Sequence, residues 1–304
     1  MILTLKLILT ALFWGGTFIA ARRVVADLGP FSAAFLRFCI ANAALLAIGL
    51  RRFGKSLFRV PKTQVIPLLS LGLTGIFLYN VFFFAGLKHV EAGRASAIVA
   101  SNPVFIALLA SCFGWERLTA RKTAGILMSV SGALCVISRG NPASILAGGL
   151  GRGEGFILGC VFSWAAYSLI GKSVLAHVPP LKAVFWSTMI GDVLLMGPAW
   201  HEGLPSRLSS MTPGAWIGLF YLGLLGTVLG FVWYYQGVAR LGAIRASQFI
   251  NGVPVSAVAL GVLILREPVT VSLIAGTALV ICGVTLTRYP ENGRGKTVGS
   301  ADAS

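Results

Sequence analysis

Ten long apolar stretches, at residues 2–21, 31–50, 65–87, 95–115, 123–138, 155–175, 183–200, 216–239, 246–265 and 269–287, constrain this chain more than any motif in it. A stretch of about 18 or more residues with few charges is long enough to cross, as a helix, a hydrocarbon core roughly 30 Å thick. Open sheet edges do not survive in lipid, and the stretches lack the strict alternation of barrel strands, so each reads as a transmembrane α-helix. The fifth is short, and the first must hold Lys6 at the interface by its flexible stem. Composition agrees: 56% of the 304 residues are hydrophobic and 11% are charged, against about a quarter charged in soluble domains. The expected fold class is all-α integral membrane with ten transmembrane helices.

The formal net charge of +16 does not point to nucleic acid, which needs a basic stripe on a folded surface. The cations lie mainly between apolar runs. With the amino terminus inside, sixteen Lys and Arg fall in cytoplasmic positions and eight outside, with Arg37 left within a span. That excess marks the cytoplasmic face and puts both termini inside. Arg22 and Arg23 sit on the wrong side for the rule. The segment around Lys6 resembles a signal peptide in its charge and apolar run, but the repeat described next assigns it to the mature fold. Five cysteines fall one to an apolar segment, with no CxxC and no His at ligand spacing, so neither a disulfide framework nor a metal site is expected. No cofactor is expected either.

The chain repeats itself. Residues 86–134 laid on 237–285, at an offset of 151, match at about thirteen of forty-nine positions. Arg94-Ala95-Ser96 falls on Arg245-Ala246-Ser247, Pro103 on Pro254, Glu116 on Glu267, Gly125 on Gly276 and Gly132 on Gly283. Earlier in the chain, Trp14 meets Trp164 and Pro30 meets Pro180 at an offset of 150. Shared apolar composition would align Leu and Val rather than Arg, Pro and Glu. Each half holds five spans, an odd number, so the second half must enter the membrane from the opposite side, as in inverted-repeat transporters. The expected organisation is a first repeat at 1–140, a Gly-rich joint at 141–154, a second repeat at 155–288 and a cytoplasmic, disordered tail at 289–304. The run Gly148 to Gly155 has the glycines of a phosphate loop but neither the preceding strand nor the Gly-Lys-Ser/Thr.

The first span reads Ala11-Leu12-Phe13-Trp14-Gly15-Gly16-Thr17-Phe18 and the second Leu36-Arg37-Phe38. The fourth opens Ala92-Gly93-Arg94-Ala95-Ser96 and passes through Pro103 to Glu116, with Gly125 and Gly132 following. In these motifs the chain resembles an EamA-type member of the drug/metabolite transporter superfamily, over roughly residues 3–288. The resemblance implies two inverted five-helix halves, a central cavity, and movement of amino acids or related metabolites without ATP hydrolysis, with export the expected direction. The second half departs at the counterpart of Arg37, which is Ser187.

Polar and aromatic side chains within spans usually face the bundle interior or a wet path. Trp14, Thr17, Arg37, Tyr79, Asn80, Asn102, Trp164, Tyr167, Gln236, Gln248 and Asn251 are therefore the candidate substrate-binding residues. Pro103 and Pro254 stand at equivalent places in spans four and nine, where each deprives the carbonyl four residues earlier, of Val99 or Ile250, of its helical partner. They are candidate hinges lining the site, or packing kinks. For Arg37 and Asp192 two readings stand: a structural ion pair, or a guanidinium for a substrate carboxylate together with a carboxyl that carries a coupling proton. The matching Glu116 and Glu267 read as boundary determinants of the fold. The partners expected are a small-molecule substrate, membrane lipid and, on the second reading of Asp192, protons. The rival functions are a membrane-embedded enzyme, weakened by three His and no HExxH pair, and a channel-like protein without carrier activity.

Overall fold

The computed structural model describes residues 2–113, 119–141, 151–241, 246 and 248–286, without the side chains of Gln248 and Asn251. All of the regular structure in these residues is helical. In chain order the rods are α1 (Ile2–Asp27), α2 (Pro30–Phe53), α3 (Lys62–Leu87), α4 (Ala92–Cys112), α5 (Ala120–Ile137), α6 (Arg152–Val174), α7 (Pro180–His201), α8 (Pro213–Leu241), α9 (Gly252–Leu265) and α10 (Val271–Leu286). Seven have the length and apolarity to cross a membrane, and α9 and α10 are shorter apolar helices. The remaining one, α7, has 22 residues; Asp192 and the prolines at its two ends lower its apolarity. The chain is a multi-pass α-helical membrane protein.

Every expected span has its helix. Helix α9 starts at Gly252 rather than at residue 246, and α1 runs on to Asp27 rather than stopping near residue 21, with Arg22 and Arg23 helical at its polar end. Arg22 reaches across from there, donating from Nη1 to the carbonyls of Leu87 at 3.2 Å and Val90 at 2.9 Å. The turn between α3 and α4 is thereby tied to α1. Helix α6 begins at Arg152, so Arg152, Gly153 and Glu154, expected in the joint, are helical. Glu116, Arg245, Ser247, residues 142–150 of the joint and the tail from 289 lie outside the described residues.

Two pairs of helices related by the repeat, α5–α10 and α2–α7, pack on one another antiparallel. In α5 and α10, Gly132 lies against Gly276 and Gly283 lies against Gly125. Since Gly125 corresponds to Gly276 and Gly132 to Gly283, each contact is the other's image. A Cβ at Gly132 would come within 2.6 Å of the Gly276 carbonyl oxygen and 2.7 Å of the Val280 amide, so the absence of side chains is what lets the backbones meet. In α2 and α7, Asn42 hydrogen-bonds Asp192 and Ser32 lies beside Ala199 and Glu202, again an antiparallel crossing. Opposite direction between equivalent helices is what inversion of one half relative to the other requires.

The third helix of each half carries the same irregularity. Gly72–Leu78 in α3 and Tyr221–Leu229 in α8 wind as π-helix, a form that widens the coil and is frequent at functional sites. Gly75 and Gly226 are repeat mates within these stretches. Tyr167 rests on Gly75 and its own mate Thr17 on Gly226. The wide turns, bare of side chains, thus admit α6 on one side of the pseudo-two-fold and α1 on the other.

Candidate functional site

A cavity opens where these helices converge, lined by Trp14, Thr17 and Phe18 of α1, Arg37 of α2, Tyr79 and Phe83 of α3, and Val99 and Asn102 of α4. The second half contributes Trp164, Phe231, Ile250 and Val253. Three pairs of repeat mates face each other across it: Trp14 with Trp164, Val99 with Ile250, and Asn102 with Val253. The cavity therefore straddles the axis that relates the halves.

Its walls are aromatic. Trp14 meets Trp164 edge-on at 5.3 Å, and Trp164 also contacts Tyr79 at 5.2 Å and Phe231 at 5.5 Å. Such pairs add about 0.5–1.5 kcal/mol each beyond their area and fix the rings in place. Trp14 donates its indole N–H to the Gly226 carbonyl at 2.9 Å, which the π-helical winding of α8 presents. The mate of that bond is not made: Trp164 Nε1 is buried without a partner among the described residues. Asn102 Oδ1 is likewise buried and unpaired. Groups of this kind are rare in folded proteins and call for a reason.

Arg37 is the one cation among the described residues that line the cavity, and it is only 3% exposed. Its Nε donates to Thr227 Oγ1 at 3.0 Å and its Nη1 to Asn80 Oδ1 at 2.8 Å. Both acceptors are neutral and held in turn by carbonyls within π-helical turns: Thr227 donates to Leu222 and Asn80 donates to Ile76. Arg37 and Asp192 do not pair. Asp192 lies in the α2–α7 seam with Asn42, and the ion pairs among the described residues are Arg22–Glu267 and Arg94–Glu154.

Of the side chains singled out from sequence, Trp14, Thr17, Arg37, Tyr79, Asn102 and Trp164 meet at the cavity. Asn80 sits behind it as the brace of Arg37. Tyr167 lies one layer further back, stacked on Tyr235 at 5.2 Å. Gln236 is elsewhere, at the end of α8, accepting from Lys6 at 3.2 Å. The Gln248 and Asn251 side chains lie outside the described residues. Neither proline stands mid-helix. Helix α4 is interrupted at Ala100–Ser101 and resumes at Asn102, so Pro103 falls in a first turn, where its missing N–H costs nothing; Pro254 similarly follows the 3-10 turn Gln248–Asn251. The interruptions bring Val99 and Ile250 to the cavity. Polarity along the sequence does not mark Phe18, Phe83, Phe231, Ile250 or Val253 as lining residues. Ile250 and Val253 carry a usable signal as the repeat mates of Val99 and Asn102, whereas Phe231, the mate of polar Asn80, does not.

The cavity holds about 30 Å³ of free space, room for one or two waters. Toward the Lys6 end a vestibule of about 500 Å³ opens beside Arg52, Gln236 and Arg240. Between the two, Leu7, Thr10, Ala11, Tyr234 and Ile250 close on one another around Trp14. At the opposite end Glu267 accepts from the amides of Ala92 at 2.8 Å and Gly93 at 3.0 Å and lies 3.9 Å from Arg22. A carboxylate at a helix start satisfies orphan donors and the helix dipole together. It ties the end of α9 to α4 and α1 and closes that side.

The EamA-like transporter family matches residues 1–138 and 151–289. The chain is 30% identical over 274 residues to the uncharacterized transporter YyaM of Bacillus subtilis, covering 90% of this chain and 89% of that protein. It is 30% identical over 291 residues to a probable terminal-alkyne amino-acid exporter of Streptantibioticus cattleyicolor, with 95% and 94% covered. A crystal structure with 23% sequence identity superposes with a TM-score of 0.65, over 94% of this chain and 96% of that one, and shares the fold. With two successive copies of the family's unit matched along its length, the chain belongs to the EamA-like transporter family.

Proposed function

We propose that this transporter is a secondary carrier that exports a small carboxylate-bearing metabolite by alternating access, with amino acids the first cargo to test. The observation that carries the reading is the aromatic cavity on the pseudo-two-fold, with Arg37 and two unpaired polar atoms turned into it and closures on either side. Two inverted halves offer two packings of related energy, and exchange between them opens the centre to each face in turn. The cargo named for the Streptantibioticus relative supports amino acids as the starting class. In this reading the repeats are 1–140 and 155–288, joined at 141–154, and the protein sits in the plasma membrane with the Lys6 end and both termini cytoplasmic, following the excess of cations there. Pro103 and Pro254 open the rigid segments on which the cavity walls turn. Asp192, buried in the α2–α7 seam with no cation paired to it among the described residues, is the candidate proton carrier.

The test is counterflow in liposomes containing the purified protein. An internal metabolite should accelerate uptake of its labelled copy, saturably. Failure of a broad panel of amino acids and organic acids to exchange, with or without a proton gradient, would sink the carrier reading; a non-saturating flux would favour a channel.

A further inference from the structure

We infer that the carrier selects for net negative charge, taking organic anions with a flat apolar body in preference to zwitterions and cations. The inference rests on the carrier reading above and narrows its cargo.

Cations predominate along the route, and the carboxylates on it among the described residues, Glu154 and Glu267, each lie beside an arginine. At the Lys6 end the vestibule is lined by Lys6, Arg52 and Arg240, and by no carboxylate among the described residues. Some 16 Å deeper, taking the 11 residues of α1 from Lys6 to Thr17 at about 1.5 Å each, Arg37 stands in the cavity, again with no carboxylate among the described residues of its lining. Beyond it, a recess of about 480 Å³ at the other mouth is lined by His89, Arg94, Arg139 and Arg152. The acid among the described residues there, Glu154, is engaged by Arg94 at 3.1 Å. The neutral stretch between vestibule and cavity contributes no opposing charge among the described residues.

The positive-inside rule accounts for cations at the cytoplasmic mouth only. It makes no provision for a guanidinium buried in mid-membrane with neutral partners, and it disfavours three arginines at the outer mouth. Intramembrane charge is expensive unless it pairs, and the cheapest counter-charge for Arg37 is one brought by the cargo. A carboxylate there would meet Arg37 and the free indole N–H of Trp164 together. The rest of the cargo meets Trp14, Tyr79 and Phe231, which suit a flat apolar body. An α-ammonium, by contrast, would leave water beside the Arg37 guanidinium for neutral acceptors such as Asn102 Oδ1. A neutral N–H or O–H satisfies that atom without the cost of a desolvated charge. Deaminated, hydroxy or N-acylated relatives of amino acids fit this donor set better than amino acids do.

Three probes that share a phenylethyl frame separate the cases: 3-phenylpropanoate, phenylalanine and phenethylamine. In counterflow with the intact protein, 3-phenylpropanoate should half-saturate at a concentration at least tenfold below phenylalanine, and phenethylamine should not exchange. Arg52→Gln with Arg240→Gln, both on the exposed rim, should raise the half-saturating concentration for the anion several-fold at low ionic strength. The difference should vanish in high salt, as steering by a focused field does. Equal or better exchange of phenylalanine or phenethylamine overturns the inference and leaves the carrier reading intact. So does a broad panel whose exchanged members are zwitterions or cations, or a double variant unchanged at low salt. If nothing in the panel exchanges, it is the carrier reading that fails.

Discussion

Asn42 donates its side-chain amide to the Asp192 carboxylate at 3.0 Å, and the two positions are 150 residues apart, the same offset that relates Trp14 to Trp164. Each is thus the other's repeat mate, and their hydrogen bond lies on the pseudo-two-fold itself. Under the proposed alternating access, a contact between mates maps onto itself when the halves exchange conformations, as do the paired contacts of Gly132 with Gly276 and Gly125 with Gly283. The α2–α7 and α5–α10 seams are therefore the surfaces that a symmetric exchange leaves in place. Contacts between unrelated positions, such as Lys6 with Gln236 or Glu267 with Ala92, have no such protection and must be remade elsewhere.

If Asp192 carries a proton during transport, Asp192→Asn should flatten the dependence of exchange on pH while keeping an acceptor for Asn42. Hydrogen bonds between membrane helices are worth about 0.6–2 kcal/mol, so the retained bond should hold the unfolding temperature in detergent near that of the parent. An unaltered pH profile, with transport intact, would leave the pair a packing role alone.

The α5–α10 seam makes a stability prediction that does not depend on the cargo. Gly132→Ala drives a methyl into backbone, 2.6 Å from the Gly276 oxygen, where no rotamer change relieves it. Overpacking of this sort costs about 1–3 kcal/mol, and the unfolding temperature should fall by several degrees. Gly155→Ala is the control, because a Cβ there meets nothing within 4 Å; equal losses for both would mean the seam is not close-packed in the membrane.

Much of this architecture is legible in the sequence because lipid leaves few alternatives: long apolar runs must be helices, and aligned Gly, Pro and Trp give the repeat. The offset pairs Gly125 with Gly276 and Gly132 with Gly283, but that these glycines meet in the α5–α10 seam appears only in the packing. The site is harder to read. Polarity within a span shows that a side chain turns inward, but not toward which interior surface. Asn80 and Asn102 look alike in sequence, yet Asn80 is spent on Arg37 while Asn102 keeps a free oxygen. Arg37 and Asp192 look like natural partners by charge, but they occupy different surroundings, the cavity and the α2–α7 seam. The apolar wall residues Phe83 and Phe231 resemble any other core phenylalanine, and the π-helical turns that open α3 and α8 have no composition signal beyond their glycines.

Arg37 should dominate cargo affinity. Replacing it with Gln removes a charge-assisted hydrogen bond worth about 1.5–3 kcal/mol, so the dissociation constant for a carboxylate cargo should rise roughly 10- to 150-fold by the usual conversion. Asn80→Ala loses only the brace and should cost less, mostly by letting the guanidinium wander. Titration calorimetry on the purified variants tests the order; Asn80→Ala weakening binding more than Arg37→Gln would contradict direct contact between Arg37 and the cargo.

The closure at the end away from Lys6, outer in the proposed orientation, rests on Glu267, whose carboxylate holds the first amides of α4 and sits beside Arg22. None of these positions is the repeat mate of another, so under the proposed alternating access the contact belongs to one conformation and should break when that side opens. Glu267→Ala removes a helix-start acceptor worth about 1 kcal/mol, enough to shift an open–closed ratio roughly fivefold, since 1.4 kcal/mol is tenfold. Val90, two residues before the Ala92 amide that Glu267 holds, is fully buried. A cysteine placed there, in a chain without the exposed Cys112 and Cys282, should react several times faster with an impermeant maleimide once Glu267 is Ala. Added cargo should slow or speed that reaction as it draws the carrier toward one state. Labelling that ignores both the substitution and the cargo would mean that Glu267 only caps α4, and that the outer mouth opens by some other motion.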